Sequence, residues 1–435
     1  MMTIGLTVTF LTTFLLYPAI LVLLTKSPLE FEADDQSRFS AALARFTEKH
    51  GKAVLAISAV LAALSVYGIS RLEVENSFVS YFSPGTEIYQ GLKLIDEKLG
   101  GTIPLDVIIK FKDASFDDED YEDDEDDEFA LLYGDVETNT ADYWFTPYKL
   151  DRIKEVHDYL ETLPGVGKVS SLASLIRVAE DIEGGREFDS LEMGLMYKRI
   201  PEELKSELIG PYVSFKDNEA RIILRILDSK PDLRRNELLK TIQDDLSGKF
   251  GFAEDEAYVT GVLVLYNNML QSLFRSQILT LGVVMLGIAL MLFVLFRSAS
   301  LAIIGIIPNL LAAAIILGLM GLMRIPLDMM TITIAAITIG IAVDNSIHYI
   351  YRFREELAHR KDYVATMHYC HAHIGKAVFY TAITIILGFS ILALSNFIPT
   401  IYFGALTALA MFIALLAALT LLPKLILLWR PIPIE

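Results

Sequence analysis

One carboxylate in this sequence stands where an acidic residue is costly. Asp344 ends a long apolar run, PLDMMTITIAAITIGIAV, that carries no charged residue after Asp328. If the run crosses a bilayer, an aspartate in it costs about 2.5–3.5 kcal/mol on insertion scales. Acidic residues at that depth normally face the interior of a helix bundle and serve ion pathways or proton relays. Asp344 is therefore the first candidate for chemistry.

The neighbours of Asp344 at helical spacing extend this hypothesis. Eight residues separate Asp344 from Arg352, which is about 12 Å along a helix and places the carboxylate inside the hydrocarbon if Arg352 marks the interface. Gly340, one turn earlier, would let a neighbouring helix approach closely. His348, one turn later, is either a proton carrier or an interfacial histidine. The alternative for Asp344 itself is a purely structural tie between helices.

A polar stripe follows the same helix, because Thr331, Thr338 and Asn345 recur every seven residues. Such stripes more often pack helices than bind a ligand, although here the stripe would extend a relay. Asp328 has a different expectation: it follows Pro326 at a helix start, where an aspartate caps the free backbone N–H groups.

The chain as a whole is too apolar for an ordinary soluble protein. Of its 435 residues, 53% are hydrophobic, and the mean hydropathy is +0.44. A helix needs roughly 20 apolar residues to cross a bilayer. Seven segments qualify, and they predict a polytopic α-helical membrane protein: about 2–24, 53–69, 278–296, 300–323, 326–350, 377–397 and 402–422.

Charge divides the chain into an acidic domain and a membrane part. Residues 70–277 carry 44 acidic and 23 basic residues, a net charge of −21, so the remainder sums to +3 of the total −18. Segments 25–52 and 351–376 each carry five basic residues. Basic residues in short loops mark the cytoplasmic side. We therefore expect both segments to be cytoplasmic loops, with the domain at 70–277 outside.

The external domain has the pattern of an α+β fold. Strand-like runs at 103–111, 166–172, 219–227 and 257–261 alternate with amphipathic helices at 148–163 and 233–246. This order predicts a ferredoxin-like split βαβ sandwich, with a further helix at 86–99 and others within 171–210. Residues 113–128 hold twelve acids and no base, which predicts a solvated loop. A calcium site is the alternative, but the EF-hand glycine is missing.

No enzyme motif competes with Asp344. The sequence has no GxSxG, P-loop or Rossmann fingerprint, so neither catalytic residues nor a cofactor are expected, and energy would come from an ion gradient. Cys370 is the single cysteine and is predicted in a cytoplasmic loop, so the external domain has no disulfide. Four histidines in the same loop lack the spacing of a metal site, and we interpret them as solvated: His359, His368, His371 and His373.

Two apolar segments also resemble each other. Residues 6–24 align with residues 411–429, with Pro18 on Pro423. Together with the order of the parts, this indicates that the first span closes one repeat and the last span closes the next.

These features resemble the RND superfamily, and within it the MMPL-like and hopanoid-exporter-like branch related to sterol-sensing domains. In that family one repeat is a span, a large external domain and five further spans. Residues 53–429 match one repeat in order and size, with 278–429 as its five-span bundle, and residues 1–24 match the closing span of a preceding repeat. The motifs IPNLL at 307–311 and GIAVDN at 340–345 resemble family signatures. The family has two repeats and often a second acidic or tyrosine residue after the aspartate, where this chain has Asn345.

The resemblance implies a proton-driven exporter, or a half-unit of one, that moves a hydrophobic or lipid-like substrate. It implies a bacterial inner membrane with the domain on the periplasmic side. Expected partners are membrane lipids and a second repeat, from an upstream polypeptide or another copy, and no nucleic acid. The alternatives are a lipid-sensing or scaffold module and a fragment that needs a partner repeat. The relay would comprise Asp344, Asn345 and His348 with Thr381 and Thr384, and Gly340, Pro308 and Asn309 would pack the helices.

Overall fold

The architecture is that of a helical membrane protein with an inserted α+β domain. The computed structural model describes residues 2–23, 38–72, 74, 77–112, 144–186, 188, 190–230 and 233–433. The predicted acidic loop at 113–128 and residues 25–37 lie outside them. The helices are α1 (Met2–Leu23), α2 (Arg38–Ile69), α3 (Glu87–Lys98), α4 (Pro147–Thr162), α5 (Leu172–Ile182), α6 (Ser190–Arg199), α7 (Glu202–Leu208), α8 (Arg235–Gly248), α9 (Val262–Phe296), α10 (Ala299–Leu322), α11 (Ile334–Arg360), α12 (Tyr363–Ser390), α13 (Ile398–Leu419) and α14 (Leu421–Trp429). The strands are β1 (Ile103–Lys110), β2 (Val166–Ser170), β3 (Val213–Ser214), β4 (Glu219–Ile226) and β5 (Ala257–Thr260).

Six of the described helical segments are long and apolar enough to cross a membrane, and α1 contains a shorter apolar stretch. The spans are formed by α2, α9, α10, α11, α12 and the pair α13–α14. Within this bundle α10 packs against α2, α9, α11, α13 and α14, so it lies at the centre. The prediction of a polytopic membrane protein with about seven apolar segments is confirmed.

The helices extend further than the apolar runs. Helix α2 begins at Arg38 and bends at His50, so the second half of the predicted loop 25–52 is helical. Helix α11 ends at Arg360 and α12 begins at Tyr363, so the predicted loop 351–376 is a two-residue turn. The prediction was wrong there because hydropathy marks only the apolar part of a helix, whereas these ends are amphipathic. Their apolar side chains, such as Phe353 and Met367, are buried.

The α+β domain is the predicted ferredoxin-like sandwich. Its strands are antiparallel in the order β2-β4-β1-β5. The short strand β3 pairs with the first two residues of β4, on the edge of β4 that faces away from β1. Strand β1 pairs with β4 along its whole length, with Leu105 opposite Leu224. Alternate side chains of both strands enter one core with α4 and α8, as the two-residue period of a strand requires. Helix α9 then runs without a break from the end of β5 into the membrane bundle.

Helix α1 does not pack against the rest of the described chain. Every side chain of α1 whose exposure is described is exposed, although the helix is almost entirely apolar. A helix of this composition is stable in lipid or against another protein surface. Its expected place as the closing span of a preceding repeat remains a prediction.

The closest helix contact of the bundle joins α2 to α10 through small residues. A Cβ atom added to Gly318 would lie 2.5 Å from the Cα of Ser65, and one added to Gly321 would lie 1.9 Å from the carbonyl oxygen of Gly68. The backbones therefore touch directly. In a bilayer, where lipid is as apolar as leucine, such close packing is a main source of helix association.

We expect Gly321→Ala to destabilise the bundle by about 1–3 kcal/mol, because an inserted methyl group forces two backbones apart. Unfolding of the detergent-solubilised protein by a denaturing detergent measures this. The matched control is Gly282→Ala on α9, where an added Cβ meets no atom within 4 Å. Equal stability of the two variants would contradict the contact.

Two buried aspartates connect the domain to the chain that enters the bundle. Asp96 at the end of α3 accepts hydrogen bonds from the backbone N–H groups of Asp228 at 2.9 Å and Ser229 at 2.8 Å. Asp228 in turn accepts from the backbone N–H of Val79 at 2.9 Å and pairs with Arg235. Burial alone would raise the pKa of Asp96, but the hydrogen bonds from Ser229, Asp228 and Thr102 outweigh it and lower the pKa below its ordinary 3.8.

This lowered pKa gives a signed prediction. A carboxyl whose pKa is lower in the folded state stabilises the protein above its unfolded-state pKa, and the contribution is lost as pH falls through the folded-state pKa. We expect Asp96→Asn to cost about 2 kcal/mol at pH 7 and progressively less below about pH 4. Denaturation of both proteins between pH 3 and 7 measures the difference. The exposed control Asp244→Asn should show no such pH dependence.

Candidate functional site

Asp344 and His348 form a pair on the surface of α11. The Nε2 atom of His348 lies 3.4 Å from the Oδ1 atom of Asp344, one helical turn away. The Asp344 side chain is 69% exposed and that of His348 is 63% exposed within the single chain. Because α11 belongs to a span, this surface is the outer face of the membrane bundle.

The pair belongs to a stripe that runs along one side of α11. Gly340, Asp344, His348 and Tyr351 are exposed at steps of four, four and three residues, which places them on one face. An added Cβ on Gly340 would meet no atom within 4 Å. The expectation that Asp344 faces the interior is therefore wrong for this chain's own bundle, and Gly340 receives no helix there. The reason is register: the opposite face, with Ala342, carries the packing.

The packed face of α11 contacts the proline–asparagine motif of α10. The amide Nδ2 of buried Asn309 donates to the carbonyl oxygen of Gly305 at 2.8 Å and to the hydroxyl of Ser346 at 3.2 Å. Pro308 lies inside α10 and cannot donate a backbone hydrogen bond. Asn309 thus links α10 to Ser346 of α11, which lies two residues after Asp344 and on the side opposite to the stripe.

The remaining predicted relay residues make local contacts. The hydroxyls of Thr381 and Thr384 are exposed on α12 and donate to their own helix, at Ala377, Val378 and Tyr380. Asn345 is half-buried beside Asp344. Of the predicted set, the described contacts therefore bring together Asp344 and His348. Thr338 donates to Ile334 on the packed side, and Asp328 caps the turn before α11 by accepting from the N–H of Thr331 at 2.8 Å, as expected.

The histidines predicted to be solvated have different environments. His371 is fully buried, with Nδ1 3.1 Å from the hydroxyl of Tyr349 and Nε2 2.8 Å from the carbonyl oxygen of Leu419, so that prediction was wrong for it. Cys370 beside it is also buried inside α12 rather than in a loop. His368 lies 2.9 Å from Glu48 of α2, and His373 stacks on Tyr369.

One group of possible metal ligands occurs among the described residues, in the α+β domain. Ligand atoms of His157, Asp158 and Glu161 lie within 4.8 Å of one another. Arg177 pairs with both carboxylates and supplies the positive charge there. His157 is buried against Ser171, and burial lowers its pKa. We interpret the group as an ion-pair cluster on α4.

Comparison with known proteins identifies the second half of the chain. Residues 235–430 match the sequence model of the MMPL family. These residues form a domain that is similar to the MMPL family. This domain runs from α8 to the end of α14 and contains Asp344, and the family consists of transporters of the RND superfamily, which are typically not enzymes. The chain is also 24% identical over 391 residues to a protein of Methanocaldococcus jannaschii described as a membrane protein, MJ1562. That alignment covers 88% of this chain and 92% of the relative.

Sequence reasoning missed Ser346 on the packed side of α11, and it missed the buried position of His371, which it interpreted as solvated. Ser346 lies eight residues after Thr338, so helical periodicity places it on the same face and was sufficient to find it. No local signal marks His371, since its partner Leu419 is distant in sequence.

Proposed function

We propose that this chain is an RND-type, proton-driven exporter or a half-unit of one, with Asp344 as the group that takes up and releases the proton. The carrying observation is the Asp344–His348 pair on a membrane face of α11. The MMPL family domain around it supports a transporter. The substrate would be hydrophobic or lipid-like.

The chemistry follows from the cost of charge in a low-dielectric surrounding. A proton on Asp344 neutralises a carboxylate that otherwise costs about 2.5–3.5 kcal/mol at such depth. His348 lies toward the Arg352 end of α11 and within 3.4 Å, so it is positioned to pass a proton to or from that end. Each change in the protonation of Asp344 alters how the stripe packs. This change in packing couples proton binding to transport.

A second repeat, from another copy or another polypeptide, would cover the stripe. In lipid every polar group must find a partner within protein or water. Within the described chain, Asp344 has His348 as its partner and otherwise faces outward. A partner surface over Gly340, Asp344 and Tyr351 would exclude lipid from the carboxylate and enclose the relay.

Orientation in the membrane follows from the helix ends. Helices α9, α11 and α14 end in the left-handed residues Arg297, Lys361 and Arg430, away from the external domain. Basic residues mark the cytoplasmic side, and they also stabilise helix C-termini. We therefore place the α+β domain outside, which is the periplasmic side of an inner membrane if the host is bacterial.

We expect Asp344→Asn to abolish proton-linked transport, because asparagine keeps the size and hydrogen bonding but does not titrate. Flux and internal pH are measured together in vesicles that contain the purified protein. Asp244→Asn, the same change on an exposed position of α8, is the control and should transport normally. Normal proton-linked flux in Asp344→Asn would exclude the relay and favour a lipid-sensing or scaffold role.

We expect a cysteine at Tyr351 to form cross-links in native membranes, because the stripe would meet a second repeat. Tyr351 is 62% exposed, and Ile57 on α2 is a control at 55% exposure. Both substitutions, Tyr351→Cys and Ile57→Cys, are made in a Cys370→Ser background and analysed by mass spectrometry. A disulfide dimer indicates a second copy, and a mixed species indicates another polypeptide. Cross-linking at Ile57 alone would contradict the stripe as the interface.

A further inference from the structure

A crevice of about 790 Å³ lies where the external domain meets the membrane bundle. One wall comes from the domain, with Ser77, Tyr81 and residues near Asp228, and the other from the ends of α10 and α13. The helix ends of the spans lie at the level of lipid headgroups, since the hydrocarbon core ends where the apolar helices end. A ligand in this crevice would therefore be at headgroup depth.

The charge of the crevice is opposite to that of the domain beside it. Lys230, Arg71 and Arg324 line it, and no carboxylate among the described residues lies within ion-pair distance of any of the three. The two acids that also line it are already engaged. Asp228 pairs with Arg235, and Asp328 caps the turn before α11. The crevice is thus positive, although residues 70–277, which include the neighbouring domain, carry a net charge of −21.

Its membrane-side wall is largely apolar. Leu322 at the end of α10, Ile398 at the start of α13 and Tyr402 one turn further line it together. Leu322 is exposed, and it lies at the end of an apolar span, so this wall continues into the lipid-facing surface. The crevice combines cations from both walls with an apolar surface at the ends of α10 and α13.

We propose that this crevice binds the anionic headgroup, a phosphate or a carboxylate, of an amphiphile whose tail lies along the ends of α10 and α13. Lys230 and Arg324 bind the anion from the two walls, and Arg71 contributes from the end of α2. The guanidinium group of arginine and the ammonium group of lysine form charge-assisted hydrogen bonds to phosphate and carboxylate. The inference rests on the proposed function only where it makes this amphiphile the substrate.

A structural role accounts for part of this cluster. Arg324 has a left-handed backbone with φ of 54° just after α10, where a basic residue stabilises the helix C-terminus. Arg71 lies 4.7 Å from the ring of Tyr67. Neither role requires Lys230, which comes from a different domain and meets no acid among the described residues. The convergence of the three on one crevice is the observation that indicates a ligand.

The experiment measures lipid binding in nanodiscs without a proton gradient. Phosphatidylglycerol, as the anionic probe, is compared with phosphatidylcholine by native mass spectrometry. We expect the wild-type protein to prefer the anionic lipid and Lys230→Gln/Arg324→Gln to lose about tenfold or more of that preference. The control Lys216→Gln/Lys240→Gln removes the same charge from exposed positions outside the crevice. It should keep the wild-type preference.

Equal loss in both variants would overturn the site, because it would indicate a general charge effect. No loss in the crevice variant would overturn the site as well, provided that both variants unfold at the wild-type temperature. The second test is Lys230→Glu, which keeps the position polar but reverses its charge. Competition by inorganic phosphate at equal concentration would show a soluble anion instead of an amphiphile. Asp344→Asn should retain the lipid preference, so failure of transport and failure of binding are separate results.

Discussion

The bundle depends on one constraint, that polar groups inside a membrane must be satisfied within the protein. Several hydroxyls of the spans meet it locally, since Ser65, Thr384 and Thr420 each donate to the carbonyl four residues earlier. The buried hydroxyl of Thr407 on α13 is an exception and has no partner among the described residues. Asn309 does the same with Gly305 and also reaches across to Ser346. Against this background the Asp344–His348 pair is distinct, because among the described residues these two ionisable groups pair with each other on an exposed face.

The α+β domain is attached to the bundle by a short segment whose polar groups are also paired. Residues 77–83, the linking segment, connect the domain to the bundle without a regular element of more than one turn. At one end Ser77 and Val79 donate to Asp228 of the domain. At the other end Ser83 donates to the carbonyl of Asn396, and Phe82 forms a β-bridge with Phe397 between α12 and α13. The two parts are thus joined by hydrogen bonds at both ends of this segment, and its residues Ser77 and Tyr81 also line the crevice.

Sequence reasoning predicted the elements that leave a periodic pattern or a distinctive composition in the sequence. Strands β1 and β4 were predicted to within one residue, and the predicted span 278–296 ends where α9 ends, because burial on a strand or span leaves an apolar pattern. Helix ends such as those of α11 and α12 were missed, since charged residues on an amphipathic helix resemble a loop. The side of α11 on which Asp344 lies was not predictable. A rotation of the helix by one residue is enough to move a side chain from the packed face to the exposed face. The crevice was also missed, since Lys230 and Arg324 come together only in the folded chain.

Helix α11 connects the two proposed sites. Asp328 lines the crevice and caps the turn at Thr331–Thr333, which continues into α11, and Asp344 lies sixteen residues later, about 24 Å away at helical rise. A helix packed on α10 along this length moves as a unit, so a shift at one end displaces the other. If proton binding at Asp344 and anion binding in the crevice favour different positions of α11, each must change the affinity for the other by the same factor. Coupling in this protein therefore requires no contact between proton and substrate, only two positions of one helix that both ligands distinguish.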